Sequence, residues 1–249
     1  MESCDIKFFD NIVQVSNTIA SKHYPIIPET GYVSMMPWQL FESLSALLKK
    51  GEISRGLFLD LGSGLGVNIV TAAYMGFKAY GIEINEALFQ GSRELISHLK
   101  SRGLLSNYCV AAYGSYFPNA YIDLRKKGES IAVKYEKSDL WLQDARRDVL
   151  FPKANKVDIY QQLGISFNDF DVFFCYNWPY QIPSILEMFS LYAKKDAVLL
   201  TQSVSGFKGF QEIIKYLGLN LEAIYYNDEQ TGITRNYLYK ISKKFNYIL

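Results

Sequence analysis

The stretch GLFLDLGSGLGVNIVTAAYMGFKAYGIEIN, Gly56 to Asn85, decides the fold. A short apolar run, Leu57-Phe58-Leu59, ends in Asp60. A turn with glycine at every second position follows, Gly62-Ser63-Gly64-Leu65-Gly66. Val67 to Met75 then has a helical pattern, Gly76 breaks it, and a second apolar run, Ala79 to Ile82, ends in Glu83. Strand, glycine turn, helix and strand, with a carboxylate at the tip of each strand, make half of a nucleoside-holding α/β unit.

Outward from this unit the alternation continues. Asn85 is a plausible N-cap for a helix running to about Arg102, with Leu88, Leu95, Ile96 and Leu99 on its apolar side. Strands are expected at Tyr108–Tyr113, Asp171–Tyr176 and Ala197–Thr201, with helices at Ile182–Ala193 and Phe207–Leu217. The end, LEAIYYNDEQTGITRNYLYKI, reads as two strands around a polar turn. The expected fold is α/β: a doubly wound, mostly parallel seven-stranded sheet with a C-terminal antiparallel hairpin and helices on both faces.

Before the unit, residues 1–24 give an amphipathic helix, Tyr24–Pro37 a proline-rich loop, and Trp38–Lys50 a second helix. Residues 1–50 are therefore expected to form an N-terminal helical and lid segment, and 51–249 the main domain. Residues 114–157 are longer than a simple connection needs and mix charges of both signs with Tyr116, Phe117, Tyr121, Tyr135 and Trp141. They read as an insertion.

Composition narrows the function classes. The formal charge of +1 over 249 residues gives no global attraction to nucleic acid or to an anionic membrane. No stretch approaches the ~20 apolar residues of a membrane helix. The N-terminus, MESCDIKFFD, has early acids and lacks the apolar core of a signal peptide. Cys4, Cys109 and Cys175 form no CxxC pair, and the latter two sit in apolar runs. That usage fits buried thiols in a reducing compartment, so a cytoplasmic protein is expected.

Glycine spacing selects the nucleoside. A dinucleotide fingerprint starting at Gly62 and Gly64 needs its third small residue at position 67, which is Val. Counting from Gly64 and Gly66 puts Ile69 there. Either would obstruct the approach of a pyrophosphate to the helix. An acid followed by three alternating glycines has another logic. The backbone lies close to a nucleoside, Asp60 can meet a cationic amino group, and Glu83 can accept both ribose hydroxyl hydrogens.

FLDLGSGLG followed by GIEIN resembles the first two motifs of the class I S-adenosyl-L-methionine-dependent methyltransferases. The resemblance covers roughly residues 38–113 and 158–249 and implies S-adenosyl-L-methionine as cofactor. It implies cofactor contacts at Asp60, Gly62, Ser63, Gly64, Gly66, Glu83 and Ile84. The family also places an acid near its fourth unit to meet the adenine amino group, and Asp158 is the candidate. Asn177-Trp178-Pro179-Tyr180 lies where the family keeps its fourth motif. It resembles the Asn-Pro-Pro-Tyr motif of amino methyltransferases, with Trp178 in place of the first proline. More loosely it resembles an Asn-aromatic segment of Dot1-like lysine methyltransferases. It also resembles a Trp-Pro pair of uncharacterised bacterial methyltransferases.

The resemblance implies Asn177 and Tyr180 as catalytic residues, and Asn177 and Trp178 beside the cofactor. Tyr32, Trp178 and Tyr180 would line the substrate side and lid. Methyl transfer is an in-line displacement on a strong electrophile, so alignment can supply most of the rate. His23 borders the lid loop and is the candidate if a base is needed; His98 falls in a helix. No residue pair has metal-ligand spacing, so no metal is expected. The expected reaction is methylation of a small-molecule or protein acceptor at nitrogen or oxygen. Two alternatives stay open: a nucleic-acid or protein-lysine amino methyltransferase, and a non-catalytic S-adenosyl-L-methionine-binding module. Balanced charge disfavours nucleic acid, and neither the acceptor nor the oligomeric state can be read.

Overall fold

A computed structural model describes residues 3–22, 36–133, 135, 157–176, 181–202, 209–227 and 234–243. Seven strands form one sheet in the order β3-β2-β1-β4-β5-β7-β6. They are β1 Leu57–Leu61, β2 Lys78–Glu83, β3 Cys109–Tyr113, β4 Val172–Cys175, β5 Val198–Thr201, β6 Leu219–Asn227 and β7 Thr234–Lys243. The first five pair in parallel, and β7 runs antiparallel between β5 and β6. The expected sheet and terminal hairpin are thus present.

Strand alternation sorts the core into two layers. Phe58, Phe174 and Leu200 join one layer with α1 (Ser3–Lys22), α2 (Pro37–Lys49), α3 (Val67–Tyr74) and α4 (Glu86–Ser101). Leu59, Phe173 and Leu199 join the other with α5 (Asn119–Lys126), α6 (Ile159–Leu163), α7 (Ile182–Tyr192) and α8 (Phe210–Tyr216). Both sheet faces are covered, which is why β1, β4 and β5 read as continuous apolar runs.

The helices of residues 1–50 belong to the first layer rather than sitting apart from it. Phe8, Phe9 and Ile12 of α1 and Leu40 and Leu44 of α2 are buried in the same cluster as Phe58. Phe8 stacks on Tyr74 at 3.8 Å, and the Tyr74 hydroxyl donates to Asp5 Oδ1 at 2.8 Å. No helix among the described residues is long and apolar enough to cross a membrane.

The opening of the 114–157 excursion is fastened to α7 by a buried carboxylate. Glu187 is 2% exposed. It accepts from the Tyr121 hydroxyl at 2.9 Å, the Ile131 amide at 2.7 Å, the Ala132 amide at 3.2 Å, and the Ser130 hydroxyl. One side chain so satisfies the start of the helical turn at Ala132 and the end of α5's tyrosine. Removing it strands several buried donors, so Glu187→Ala should lower unfolding free energy by about 2–4 kcal/mol. Glu187→Gln, which keeps an acceptor oxygen, should lose less. Urea titration of both variants checks the order; equal losses would refute it.

Candidate functional site

Strand order reverses between β1 and β4, and a crevice beyond the C-terminal strand ends at such a point is where ligands bind in open α/β sheets. The turn after β1 occupies this place. Gly62, Gly64 and Gly66 have φ of 84°, 53° and 80°, the left-handed region that glycine enters without steric cost. The amides of Gly62 and Ser63 both donate to the Ile82 carbonyl, at 3.0 and 3.1 Å. The turn is therefore stitched to the end of β2.

Glu83, at the tip of β2, completes the stitching. Its Oε2 accepts from the Gly64 amide at 2.8 Å and its Oε1 from the Asn85 amide at 2.7 Å. Asn85 in turn caps α4, its side chain accepting from the Leu88 amide. The carboxylate is buried, which pushes its pKa up against the lowering effect of the Asn85, Gly64 and Ile84 amides. Three amides on about four lone-pair sites leave the carboxylate room to accept from a ligand hydroxyl.

Asp60 faces the first layer, sharing Phe58's side of β1. It is 1% exposed. Asn68, in the first turn of α3, donates through Nδ2 to Asp60 Oδ2 at 3.2 Å. Asp60 Oδ1, Asn68 Oδ1, Ser63 Oγ and Ser92 Oγ are buried with no hydrogen-bond partner among the described residues. Burial pushes the Asp60 carboxyl up to about 8, opposed by the Asn68 bond and assisted by the negative charge of Glu83. Two of these unmet oxygens, on Asp60 and Asn68, belong to hydrogen-bonded neighbours beside the glycine turn, and acceptors of this kind are what a donor-rich cationic ligand would satisfy.

Small residues let the pieces close. Asp60 pairs in register with Gly81 of β2. A Cβ on Gly81 would lie 2.6 Å from Ser63 Cβ, and one on Gly66 2.7 Å from Ser92 Oγ. Any side chain at 81 would push the turn off the sheet.

On the β3 side, the Gly114 amide donates to the Glu83 carbonyl at 3.0 Å. Ser115 Oγ accepts from the Phe117 amide at 3.2 Å. The Tyr116 ring lies over Gly62, 3.9 Å from where its Cβ would be. The Tyr116 carbonyl accepts from the Tyr160 hydroxyl at 2.6 Å. Ile84 stands partly exposed at the tip of β2.

The structure brings together the predicted Asp60, Gly62, Ser63, Gly64, Gly66, Glu83 and Ile84. Asp158 sits one layer out. It caps α6 by accepting from the Tyr160 amide at 2.9 Å, and its other oxygen accepts from the Asn119 amide at 2.7 Å, at the start of α5. Tyr32, Asn177, Trp178 and Tyr180 lie outside the described residues, as do His23 and most of the predicted lid loop. Asn68 and Gly81 escaped the sequence reading. A lone polar residue in the apolar run Val67-Asn68-Ile69-Val70 was the available signal for the first; the second depends on register.

No model of a known protein family matches the chain, and no curated protein matches it either. Solved structures do. An O-methyltransferase from Bacillus cereus, crystallised with S-adenosylhomocysteine, superposes with a TM-score of 0.52 at 14% identity, over 95% of this chain and 91% of its own. The chain has the class I methyltransferase fold. A provisionally assigned O-methyltransferase from Klebsiella pneumoniae gives a TM-score of 0.50 at 12% identity, over 95% and 90% of the two chains. Within this methyltransferase fold the glycine turn, Asp60 and Glu83 stand at the switch point.

The raised Asp60 carboxyl has a consequence for stability. The folded chain holds a proton on Asp60 up to about pH 8, whereas an aspartate in the unfolded chain releases it near 3.8. Folded protein then binds more protons than unfolded protein between these limits, so stability falls as pH rises through that window and levels off above it. Asp60→Asn should remove this part of the slope. Its melting temperature should match the wild type's near pH 4 and exceed it at about pH 8.5. A pH series of thermal melts on ligand-free protein checks this, and parallel curves would refute it.

Proposed function

We propose that the chain is a methyltransferase that uses S-adenosyl-L-methionine and acts on a small-molecule or protein acceptor at nitrogen or oxygen. The observation that carries this reading is the pairing of two buried carboxylates across a glycine turn. Asp60 offers an unsatisfied acceptor, and Glu83 already grips the turn through Gly64. When bound, the cofactor supplies a sulfonium methyl, an electrophile that needs no metal or strong acid.

The residues present fit that group. Glu83 accepts the ribose hydroxyls through the lone pairs that the amides leave. An unphosphorylated ribose suits it, because a carboxylate repels a 2′-phosphate. Asp60 meets the α-ammonium of the amino-acid tail, whose charge favours its ionised form. Gly62, Ser63, Gly64 and Gly66 bring backbone amides close to the ligand, and Ile84 is the apolar wall for the adenine. Asp158 frames the adenine end through the α5 start that it caps, and each of its oxygens keeps a second lone pair for the exocyclic amine.

Acceptor chemistry is assigned to Asn177-Trp178-Pro179-Tyr180, which the chain enters directly after β4. In this reading Asn177 accepts the hydrogens of the incoming group and so aligns its lone pair with the methyl. Tyr180 and Trp178 pack against the acceptor, and Tyr32 closes the lid side. Alignment and water exclusion then lower the barrier. The near-zero formal charge speaks for a small-molecule or protein acceptor over nucleic acid. The buried free thiols Cys109 and Cys175 suit a cytoplasmic setting.

Calorimetry with S-adenosylhomocysteine tests the cofactor assignment. Wild type should bind, Glu83→Ala should bind at least about tenfold more weakly, and at pH 7 binding should release protons as Asp60 ionises. Absence of binding sinks the reading. Methyl release across an acceptor panel then separates enzyme from binding module: Asn177→Ala should retain cofactor affinity and lose turnover.

A further inference from the structure

Two buried oxygens at the tip of β1 lack a donor, and they form one unit. Asp60 is 1% exposed and its Oδ1 meets no donor among the described residues; Asn68 Oδ1 is in the same state. Asn68 Nδ2 donates to Asp60 Oδ2 at 3.2 Å. Beside a cationic ligand Asp60 ionises and only accepts, so in the bound state this bond sets which way the Asn68 amide turns. Its nitrogen is committed to Asp60, and its carbonyl oxygen becomes a second acceptor. Gly66, in the left-handed N-cap position of α3, places Asn68 one residue into the first turn, beside the strand tip.

Buried acceptors left unmet cost free energy. Two neighbouring acceptors, one of which gains a charge when a cation approaches, suit a primary ammonium, which brings a positive charge, three donors and no acceptor. A carboxylate or phosphate would set acceptor against acceptor. A hydroxyl would serve only one of the two. We infer that Asn68 is a specificity-determining residue of the cofactor site, accepting a hydrogen from the ligand's α-ammonium beside Asp60. It thereby selects an amino-acid-bearing nucleoside over nucleosides that lack the ammonium. This inference rests on the cofactor reading above and assigns a role to a side chain that the glycine motif does not specify. Two acceptors on one ammonium also fix its direction, which a single carboxylate leaves free to swing.

Calorimetry on the full chain with three probes tests it. The probes are S-adenosylhomocysteine, its deaminated analogue with hydrogen in place of the ammonium, and 5′-methylthioadenosine, which lacks the whole amino-acid tail. Asn68→Leu should weaken S-adenosylhomocysteine by about tenfold or more. It should leave the other two probes within about twofold of wild type, as expected when a substitution and a ligand change remove the same contact. Equal losses for S-adenosylhomocysteine and the deaminated analogue would overturn the inference. So would unchanged affinity for S-adenosylhomocysteine. Asn68→Ala is measured in parallel, so that if Asn68→Leu melts early the same ratio is read from the smaller side chain. Wild type binding none of the probes would sink the cofactor reading itself, a result distinct from wild type binding and Asn68 being indifferent.

Discussion

A single carboxylate, Glu83, closes the circuit on which the site depends. Sheet hydrogen bonds run out at the strand tips, and beyond them the chain must find other partners for its amides. Glu83 takes the Gly64 amide with one oxygen and the Asn85 amide with the other. Glu83 thus ties the turn after β1 to the start of the helix after β2. Without it two amides at the base of the site would lose their partner, and the turn would keep only its bonds to the Ile82 carbonyl. Burial raises the cost of ionising Asp60, and the nearby Glu83 carboxylate adds to it.

Much of this was legible in the sequence, for reasons that can be named. Alternating apolar runs and glycine stops set the strands and helices. The sheet's double burial explains why Val172-Phe173-Phe174-Cys175 carries no polar alternation. Asp60, the three glycines and Glu83 were readable because local spacing alone defines a strand-turn-helix-strand unit. Asn68 was not, because its role depends on the helix phase that swings it back onto Asp60. Gly81 was not, because its need to be small follows from the register that sets β2 beside β1 and the turn.

Asp158 illustrates the opposite limit. Its residue type and its place before the fourth strand marked it, and its N-cap role lies in the segment IYQQL directly behind it. Its second partner, the Asn119 amide, is 39 residues away and belongs to no local pattern. Glu187 is a stronger case. A lone acid in the helix IPSILEMFSLY carries no sign that it faces inward, and only the arrival of residues 121–132 gives it partners. Long-range polar contacts of this kind are written in the fold, whereas the glycine motif is written in the chain.

The double use of the Ile82 carbonyl by Gly62 and Ser63 has a thermodynamic meaning. A loop that must order itself around a ligand gives up conformational entropy at that moment, and the loss is subtracted from affinity. Here the turn is already hydrogen-bonded to the end of β2, and the Gly66 amide before α3 closes back on the Ser63 carbonyl at 2.8 Å. The nucleoside end of a ligand would meet a surface whose shape was set during folding. Its association would then be governed by desolvation and polar matching, with no ordering step of this turn to set the rate or to give the binding heat a large opposing entropy.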